Sequence, residues 1–394
     1  MKKLSVGIIG LGCRGMSVLT SELLEMRNIE ITAVSDSYQD RIEKACSVVK
    51  DKYDKKPFAT TDYHELLDKS PDAVIIATPW KNHIKITIEA MRKKIAVGCE
   101  VGGANDIQEC VELVKTYEET GTPCMLLENC CYGRNELMIL NMIKQGIFGE
   151  IIHCQGGYRH DLRGEIDNGI ENRHYRFEEY LHKNRENYPT HELGPIAFCL
   201  DINRGNKLKN LISVSSKASG LAEYRKINGK PPLTYTQGDV VTTIITCENG
   251  QTIVLTLDTT LPRYYSRGFH IQGTKAMFDE DNLSIYINDE HTPYEFDWKP
   301  MWNNVENYRE KYEHPIWQKY KDNVSGGHWG MDRLVFDAFF NSIANNKPMP
   351  IDVYDMATWM SISALSEKSL KQNSFVEIPD FTRGKWKDKR ELLL

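Results

Sequence analysis

Three glycines near the N-terminus have the clearest chemical meaning in this sequence. Gly10, Gly12 and Gly15 form a Gly-x-Gly-x-x-Gly pattern that follows a short apolar run and precedes a segment typical of a helix. Such glycines permit a tight turn, a close approach of the backbone to a pyrophosphate, and close packing of helix on strand. The pattern predicts a dinucleotide site that also includes Cys13 and Arg14. The alternative is a glycine-rich turn in an ordinary α/β domain.

A carboxylate follows at the distance that a dinucleotide site needs. A second apolar run ends in Asp36, about 20 residues after the glycines, where an acidic side chain accepts hydrogen bonds from the adenosine ribose. The same charge repels a 2′-phosphate, so the sequence predicts NAD as the cofactor. Ser37, Tyr38 and Arg41 leave NADP open, and the alternative role for Asp36 is a helix cap.

Length and composition limit the class of protein. The chain has 394 residues, which favours two domains that each bury a core. Its net charge of −6 provides no positive field that would attract nucleic acid. The sequence contains no run of about 18 apolar residues, so no membrane span is predicted. A start on a strand pattern without an export signal favours the cytoplasm. The ten cysteines show no CxxC spacing, so we expect reduced thiols and neither a metal site nor disulfides.

The elements that position these groups alternate between strand and helix over the first 127 residues, which predicts a parallel sheet covered on both faces. The expected strands are Ser5–Gly10, Glu30–Ser35, Asp72–Ala77, Ala96–Glu100 and Cys124–Glu128. The expected helices are Met16–Met26, Gln39–Val49, Tyr63–Lys69, Asn82–Met91 and Asp106–Thr120. Nucleotide and substrate meet at the carboxyl edge of such a sheet, where Thr78 and Glu100 fall.

From Leu137 onward the pattern is that of a mainly antiparallel sheet with fewer helices. The expected strands are Glu150–Tyr158, Leu211–Lys217, Val240–Cys247, Thr252–Thr259, Gly268–Phe278 and Leu283–Ile287, with a hairpin turn at 248–251. The expected helices are Leu137–Gln145, one long insertion at Thr190–Asp201, and a final pair at Met331–Asn345 and Val353–Lys371. Residues 175–187 and 303–325 are predicted to be ordered loops over a site, or plain surface.

The predicted fold class is α/β, with an N-terminal Rossmann domain at 1–127 and a C-terminal α+β domain with an open, mainly antiparallel sheet at 128–394. The second sheet is predicted to expose an apolar face unless helices or another subunit cover it, and its candidate residues are Val241, Ile244, Val254 and Leu255. The sequence therefore predicts a homodimer or homotetramer.

Several longer motifs resemble a known family. The glycine pattern, Ala77-Thr78-Pro79 with His83, and the strand end at Glu100 resemble the glucose-fructose oxidoreductase/inositol dehydrogenase (Gfo/Idh/MocA) family over essentially the whole chain. Five further motifs are similar to glycoside hydrolase family 109, a branch of NAD-dependent α-N-acetylgalactosaminidases. They lie at 100–104, 127–134, 157–163, 187–195 and 326–332.

The resemblance also extends the predicted cofactor site. The implied NAD contacts are Thr78, Trp80, His83, Glu100, Val101 and Asn129. The alternatives are a core position for Trp80 and a role in a turn for Asn129.

One position departs from the wider family. Its ordinary members read Glu-Lys-Pro where this chain reads Glu100-Val101-Gly102, and that lysine takes the proton from the hydroxyl being oxidised. Valine cannot titrate, so a sugar dehydrogenase would need another base. His191, at the start of a predicted helix, is the predicted base, because the positive helix end helps to keep an imidazole neutral. The alternative is a histidine that caps the helix or lies in the core.

The resemblance implies a reaction in which bound NAD is not consumed. Hydride leaves C3 of the sugar, the ketone acidifies the C2 proton, elimination expels the C1 substituent, water adds and the hydride returns, so that no carboxylate pair is needed. It implies that His191 acts at the C3 hydroxyl and Tyr158 at C2 or C1. The implied substrate contacts are Arg176, Tyr188, Thr190, one of Tyr264 and Tyr265, and His328.

Each of these residues also has a structural alternative. The tyrosines could be core or surface aromatics, Arg176 could be a solvated charge, and His328 could cap the final helix. His160 and Arg163, in the run His-Asp-Leu-Arg, could instead take part in a structural ion pair under the loop.

Three functions fit the sequence. The first is retaining hydrolysis of an α-linked N-acetylhexosaminide, with a small-molecule sugar or glycoside as the partner. The second is net oxidation of a sugar or cyclitol with release of NADH. The third is a catalytically silent protein that senses a nucleotide or a sugar.

Overall fold

The computed structural model describes residues 3–294 and 296–394, except for the side chain of Glu192. Its strands are β1 (Leu4–Ile9), β2 (Ile29–Ser35), β3 (Phe58–Thr60), β4 (Ala73–Ile76), β5 (Ala96–Cys99), β6 (Cys124–Leu126), β7 (Ile151–Arg159), β8 (Leu208–Ser215), β9 (Val240–Cys247), β10 (Thr252–Asp258), β11 (His270–Gly273), β12 (Ala276–Asp279), β13 (Ser284–Ile287) and β14 (Val376–Glu377).

The α-helices are α1 (Cys13–Ser21), α2 (Gln39–Tyr53), α3 (Tyr63–Asp68), α4 (Trp80–Arg92), α5 (Ile107–Thr120), α6 (Arg134–Lys144), α7 (Arg163–Asp167), α8 (Arg176–His182), α9 (Thr190–Cys199), α10 (Gly220–Ile227), α11 (Glu306–Tyr312), α12 (Pro315–Tyr320), α13 (Met331–Ala344) and α14 (Val353–Gln372). None of the helices in the described part of the chain is long and apolar enough to cross a membrane.

The chain forms two compact units, and each consists of more than one segment. Unit 1 contains residues 1–132, 322–357 and 392–394, and unit 2 contains 133–321 and 358–391. The predicted division into domains at 1–127 and 128–394 stays a prediction.

Unit 1 is built on a parallel sheet of six strands in the order β3-β2-β1-β4-β5-β6. The central strands are short and apolar, and β4 and β5 are buried at every position, as expected for a sheet with helices on both faces. This confirms the predicted Rossmann fold. The sheet has one strand more than predicted, because β3 is a three-residue edge strand with no apolar run to reveal it.

Unit 2 is built on a sheet of eight strands in the order β13-β12-β11-β7-β10-β9-β8-β14. The pair β7 and β10 is parallel and the other pairs are antiparallel, which confirms the predicted mainly antiparallel sheet. The predicted hairpin joins β9 to β10 through Gly250, whose φ is +93°. The predicted strand 268–278 is wrong as a single strand, since a turn at residues 274 and 275 divides it into β11 and β12.

Two expectations about the surface of unit 2 are wrong. Val241 and Leu255 are fully buried, whereas Ile244 is 41% exposed. Side chains alternate along a strand, so Ile244 and its partner Val254 point to the face opposite that of Val241 and Leu255. The segments predicted as loops at 175–187 and 303–325 contain the helices α8, α11 and α12. The predicted helical insertion at 190–201 is present as α9, but it is one of several helices in this unit.

Candidate active site

The glycine loop of unit 1 has the shape that a dinucleotide site needs. Gly10 has φ +95°, and a Cβ there would meet the Ala77 carbonyl oxygen at 2.5 Å. A Cβ on Gly15 would overlap the Gly10 carbonyl oxygen, so helix α1 can approach β1 only because residue 15 is glycine. A Cβ on Gly12 would meet only the side chain of Arg41, at 3.5 Å or more. The backbone at the start of α1 is therefore open to a phosphate group.

Asp36 lies at the end of β2 and faces this loop. Its carboxylate accepts hydrogen bonds from the backbone N–H groups of Leu11 (2.7 Å) and Tyr38 (2.9 Å). The Arg41 guanidinium lies 3.7 Å from the same carboxylate. The predicted ribose acceptor is thus held in a fixed orientation by the turns on both sides of it.

His83 and Trp80 shape the end of β4. His83 donates from Nε2 to the Thr78 carbonyl oxygen at 2.7 Å, and burial lowers the pKa of His83 to about 4. The imidazole is therefore neutral at physiological pH. Trp80 is buried against Gly102, where a Cβ would overlap the indole. Both side chains support the loop structure, and their contact with the cofactor stays a prediction.

Arg14 connects the glycine loop to a set of buried acidic groups within unit 1. It donates from Nε to Glu100 Oε1 (2.9 Å), from Nη1 to Asp332 Oδ2 (2.7 Å) and from Nη2 to Asp332 Oδ1 (3.1 Å). Asp332 also accepts from Asn129 Nδ2 (2.7 Å) and lies 2.8 Å from His328 Nδ1. Burial raises the pKa of Asp332, but hydrogen bonds from His328 and Arg14 outweigh it and hold that pKa well below its usual range. The carboxylate is thus ionised and the His328 nitrogen is the donor.

The residues before α13 form a strained segment beside this network, which we call the 326–330 segment. Gly326, His328, Trp329 and Gly330 all have positive φ, of +85°, +49°, +55° and +91°. A left-handed conformation costs about 1–2 kcal/mol for a residue other than glycine. Trp329 is nevertheless 78% exposed.

Glu22 holds the other end of the 326–330 segment. The Gly327 N–H donates to Glu22 Oε1 at 2.6 Å, and Glu22 is 1% exposed. Burial raises the pKa of Glu22 to about 7; the Gly327 N–H opposes this rise and the nearby Asp332 adds to it.

Unit 2 contains a cluster of phenols and imidazoles. The Tyr158 hydroxyl lies 3.3 Å from His160 Nδ1, and the Tyr188 hydroxyl lies 3.3 Å from His191 Nε2. The Tyr158 ring centroid lies 4.5 Å from that of Tyr188 and 5.7 Å from that of His191. Tyr265 joins the cluster, with its ring 5.1 Å from the His160 ring. Burial lowers the pKa of His160, which favours a neutral imidazole that can accept a proton from Tyr158.

Charged and polar groups surround this cluster. The Arg176 guanidinium lies 5.1 Å from the Tyr188 ring centroid, and its Nε lies 3.2 Å from Glu165 Oε1. Thr190 is fully buried at the first position of α9, next to His191. Glu186 accepts the backbone N–H of Tyr188 at 3.2 Å, and burial raises the pKa of Glu186.

The structure brings together most of the residues predicted for the substrate, but not all of them. Tyr158, Tyr188, His191, Arg176 and Tyr265 form one cluster in unit 2. Tyr264 is 73% exposed, and the Arg263 guanidinium lies over its ring. His328 belongs to unit 1, where it contacts Arg14 and Asp332. The substrate roles themselves stay predictions.

Sequence reasoning missed two members of these sites. The structural ion pair considered for His160 and Arg163 is present for Arg163, which pairs with Asp161 (2.7 Å), whereas His160 lies beside Tyr158. The position of His160 two residues after Tyr158 on a strand pattern was the available signal. Asp332 was quoted within a motif but given no role, since its partner Arg14 is 318 positions away.

All ten cysteine thiols are free. Cys13 is exposed at the first position of α1, Cys46 is partly exposed and the other eight are buried. This agrees with the expectation of reduced thiols.

The parallel sheet and its glycine loop are those of a dinucleotide-binding Rossmann domain. Residues 4–127 match the Gfo/Idh/MocA oxidoreductase family with the NAD-binding Rossmann fold. Residues 132–388 match the C-terminal domain of glycosyl hydrolase 109. The chain belongs to glycosyl hydrolase family 109. It is an enzyme of this family, and its cofactor is NAD.

Relatives match over nearly the whole chain. A glycosyl hydrolase family 109 protein of Stenotrophomonas maltophilia is 39% identical, over 99% of this chain and 92% of its own length. An α-N-acetylgalactosaminidase of Tannerella forsythia is 35% identical, over 97% of this chain and 87% of its own length.

Solved structures share the fold at low sequence identity. A levoglucosan dehydrogenase in complex with NADH and levoglucosan has a TM-score of 0.69 at 16% identity, over 96% of this chain and all of that one. A scyllo-inositol dehydrogenase of Lactobacillus casei with NAD(H) and scyllo-inositol has a TM-score of 0.67 at 13% identity, over 96% of this chain and 99% of that one. Together the two family matches indicate an NAD-dependent glycosidase or oxidoreductase.

Proposed function

We propose that this enzyme hydrolyses an α-linked N-acetylhexosaminide by transient oxidation of the sugar at C3. The observation that carries the proposal is the pairing of two phenols with two imidazoles in unit 2, Tyr158 with His160 and Tyr188 with His191. These groups move protons without needing two opposed carboxylates. The nearby carboxylate of Glu165 is paired with Arg176, which suits it to orientation and not to acid catalysis.

Bound NAD supplies a hydride acceptor that also returns the hydride at the end of each turnover. Within the protein, His191 takes the proton from the C3 hydroxyl as that carbon is oxidised to a ketone, by way of Tyr188, whose hydroxyl accepts that proton and gives its own to His191 Nε2. Val101 is 6% exposed and apolar at the position where the wider family carries a lysine, so it cannot take this proton. A positioned base of this kind contributes about 10²–10⁴ in rate.

The second proton to move is that on C2. The C3 ketone makes it acidic, and Tyr158 takes it, passing its own phenolic proton to the neutral His160. The C1–O bond breaks as the C1–C2 double bond forms, and the leaving oxygen takes the proton held by His160. Water then adds at C1, a proton returns to C2, and the ketone is reduced. The balance is one glycoside and one water giving one sugar and one alcohol.

The name of the Tannerella forsythia relative supports an α-N-acetylgalactosaminide as the first substrate to test. The proposed sugar contacts are Tyr188, a member of one proton-transfer pair, and three residues beside the pairs, Arg176, Thr190 and Tyr265. The proposal places the reaction in the cytoplasm, since free thiols suit a reducing compartment.

The dehydrogenase structures with the same fold favour one competing function, which is net oxidation of a sugar or cyclitol. The two functions differ in what accumulates. Hydrolysis releases the aglycone with no build-up of reduced nicotinamide, and net oxidation gives one NADH for each sugar. A sensing protein gives neither product while it retains NAD binding.

The experiment uses p-nitrophenyl α-N-acetylgalactosaminide with deuterium at C2. We expect release of nitrophenolate, a product that has exchanged its C2 deuterium for solvent hydrogen, and no stoichiometric rise in absorbance at the nicotinamide band. Tyr264→Phe, outside the cluster, serves as the control and should react like the natural enzyme. A product that keeps all of its C2 deuterium would exclude the elimination mechanism.

A further inference from the structure

Arg41 lies beside Asp36 and Gly12, two residues predicted to contact the cofactor. Its Nη1 lies 3.7 Å from Asp36 Oδ2 and 3.5 Å from the position of a Cβ on Gly12. Its guanidinium carbon lies 4.7 Å from the centroid of the Tyr38 ring. Arg41 is in the first turn of α2, and its side chain is 20% exposed.

This arrangement differs from an isolated aspartate. The Asp36 oxygens are already oriented by the N–H groups of Leu11 and Tyr38, so the carboxylate does not depend on Arg41 for its position. The separation of 3.7 Å is longer than a hydrogen bond, which makes Arg41 an electrostatic neighbour of Asp36. The Tyr38 ring, itself 39% exposed, supports the flat face of the guanidinium.

We propose that Arg41 sets how strongly this enzyme discriminates between NAD and NADP. Charge added at the 2′ position of the ribose is repelled by Asp36, and it is attracted by a guanidinium within 4 Å of that carboxylate. Arginine near the ribose is a recognised means of accommodating a 2′-phosphate. The preference for NAD is therefore smaller than Asp36 alone would produce, and Arg41 is the residue that reduces it.

The inference concerns the cofactor alone and does not depend on the proposed hydrolysis. It is tested by calorimetric titration of the nucleotide-free protein with NAD and with NADP, without any glycoside. We expect the natural protein to bind NAD more tightly. In Arg41→Ala the affinity for NADP should fall about tenfold more than the affinity for NAD, which widens the preference.

A double-mutant cycle gives the sharper result. Asp36→Ala should bind NADP at least as tightly as NAD, and Asp36→Ala with Arg41→Ala should lose that gain. Lys44→Ala removes one exposed positive charge from the same helix and should change both affinities by the same factor. The contribution of Arg41 to NADP affinity should also decrease in high salt, because the guanidinium is partly exposed to solvent and salt screens its attraction for the 2′-phosphate.

Two results would overturn the inference. One is an equal change in both affinities in Arg41→Ala, and the other is a double variant that retains the gain in NADP binding. Arg41→Lys keeps the charge while losing the planar fork, and it replaces Arg41→Ala in the cycle if the alanine variant does not fold. An intermediate preference in Arg41→Lys is the expected result.

Discussion

Arg14 and Asp332 form a two-pronged ion pair within unit 1, with Nη1–Oδ2 and Nη2–Oδ1 distances of 2.7 and 3.1 Å. Asp332 is 1% exposed, and it also accepts from Asn129. The pair ties the 326–330 segment to the glycine loop. Arg14 also reaches Glu100, so one guanidinium links three parts of the nucleotide unit.

Removal of the Asp332 carboxylate should destabilise the protein. Asp332→Ala removes one acceptor of Arg14 and the acceptor of the Asn129 amide, and we expect the free energy of unfolding to fall by about 2–4 kcal/mol. The lowered pKa of Asp332 means that the ion pair contributes fully above the unfolded pKa of about 4. Denaturant titration should therefore show the full loss near pH 5 and a smaller loss in stronger acid.

Asp337→Ala is the matched control, since Asp337 lies on the same helix with a side chain 41% exposed. Its unfolding free energy should change by about 0.5 kcal/mol or less. An equal loss in both variants would show that the network around Arg14 has no special weight.

Glu22 should make stability fall as pH rises toward neutrality. Between pH 4.5 and 7 the folded carboxyl keeps a proton that the unfolded chain has released, because burial raises its pKa to about 7. The free energy of unfolding decreases through that window and stays lower above it. Glu22→Gln keeps an oxygen that accepts from the Gly327 N–H and removes the titrating carboxyl. The free energy of unfolding of this variant should therefore exceed that of the natural protein by about 3 kcal/mol at pH 8, and the two should be equal near pH 4. A pH-independent difference between the two proteins would contradict this assignment.

Replacement of Trp329 by glycine should stabilise the protein. Its φ of +55° is strained, and 78% of the residue is exposed, so Trp329→Gly releases strain while losing little packing. We expect the free energy of unfolding to rise by about 1 kcal/mol. Trp302→Gly is the control, because Trp302 is also exposed but has φ −61°, and it should gain nothing. Chemical denaturation of both variants checks the prediction.

His191 should be required for catalysis and not for folding. His191→Ala removes the proposed base at C3, and kcat should fall by about two to four orders of magnitude with little change in melting temperature. Addition of Val101→Lys to this variant should not restore the rate. Glycoside cleavage that persists in His191→Ala would end the proposed role of this imidazole.

The exposed face of the second sheet should join two copies of the chain. Ile212, Val214, Ile244 and Val254 share that face, and Val214 is 58% exposed. We expect a homodimer or homotetramer by light scattering at micromolar concentration. Ile244→Lys should shift the mass toward a monomer, whereas Ile227→Lys, at an exposed position on α10, should not. A monomeric natural protein would contradict the prediction.

Features that depend on neighbouring residues could be predicted from the sequence. The glycine loop, Asp36 and the alternation of strand and helix are local patterns, and the structure contains them with small shifts in their ends. Helix α1 begins at Cys13, three residues before the predicted start, because Gly12 serves as its N-cap. The proximity of Tyr188 and His191 could also be predicted, because they lie three positions apart at the start of α9.

Features that depend on distant residues could not be predicted. The sequence gives no sign that Asp332 would face Arg14, or that Glu22 would be buried against Gly327. The strand β3 could not be predicted because it has only three residues, none of them buried, and so shows no detectable period.

The interleaving of the two units has a consequence for synthesis on the ribosome. Unit 1 needs residues 322–357, so the first 132 residues emerge long before Asp332 exists to receive Arg14. All of 133–321 is made in the meantime, and domains generally begin to fold as they emerge. The nascent nucleotide unit therefore waits in an incomplete state, with Arg14 and Glu22 lacking their late partners. Variants that weaken the early sheet should lower the yield of folded enzyme more than they lower the stability of the finished protein.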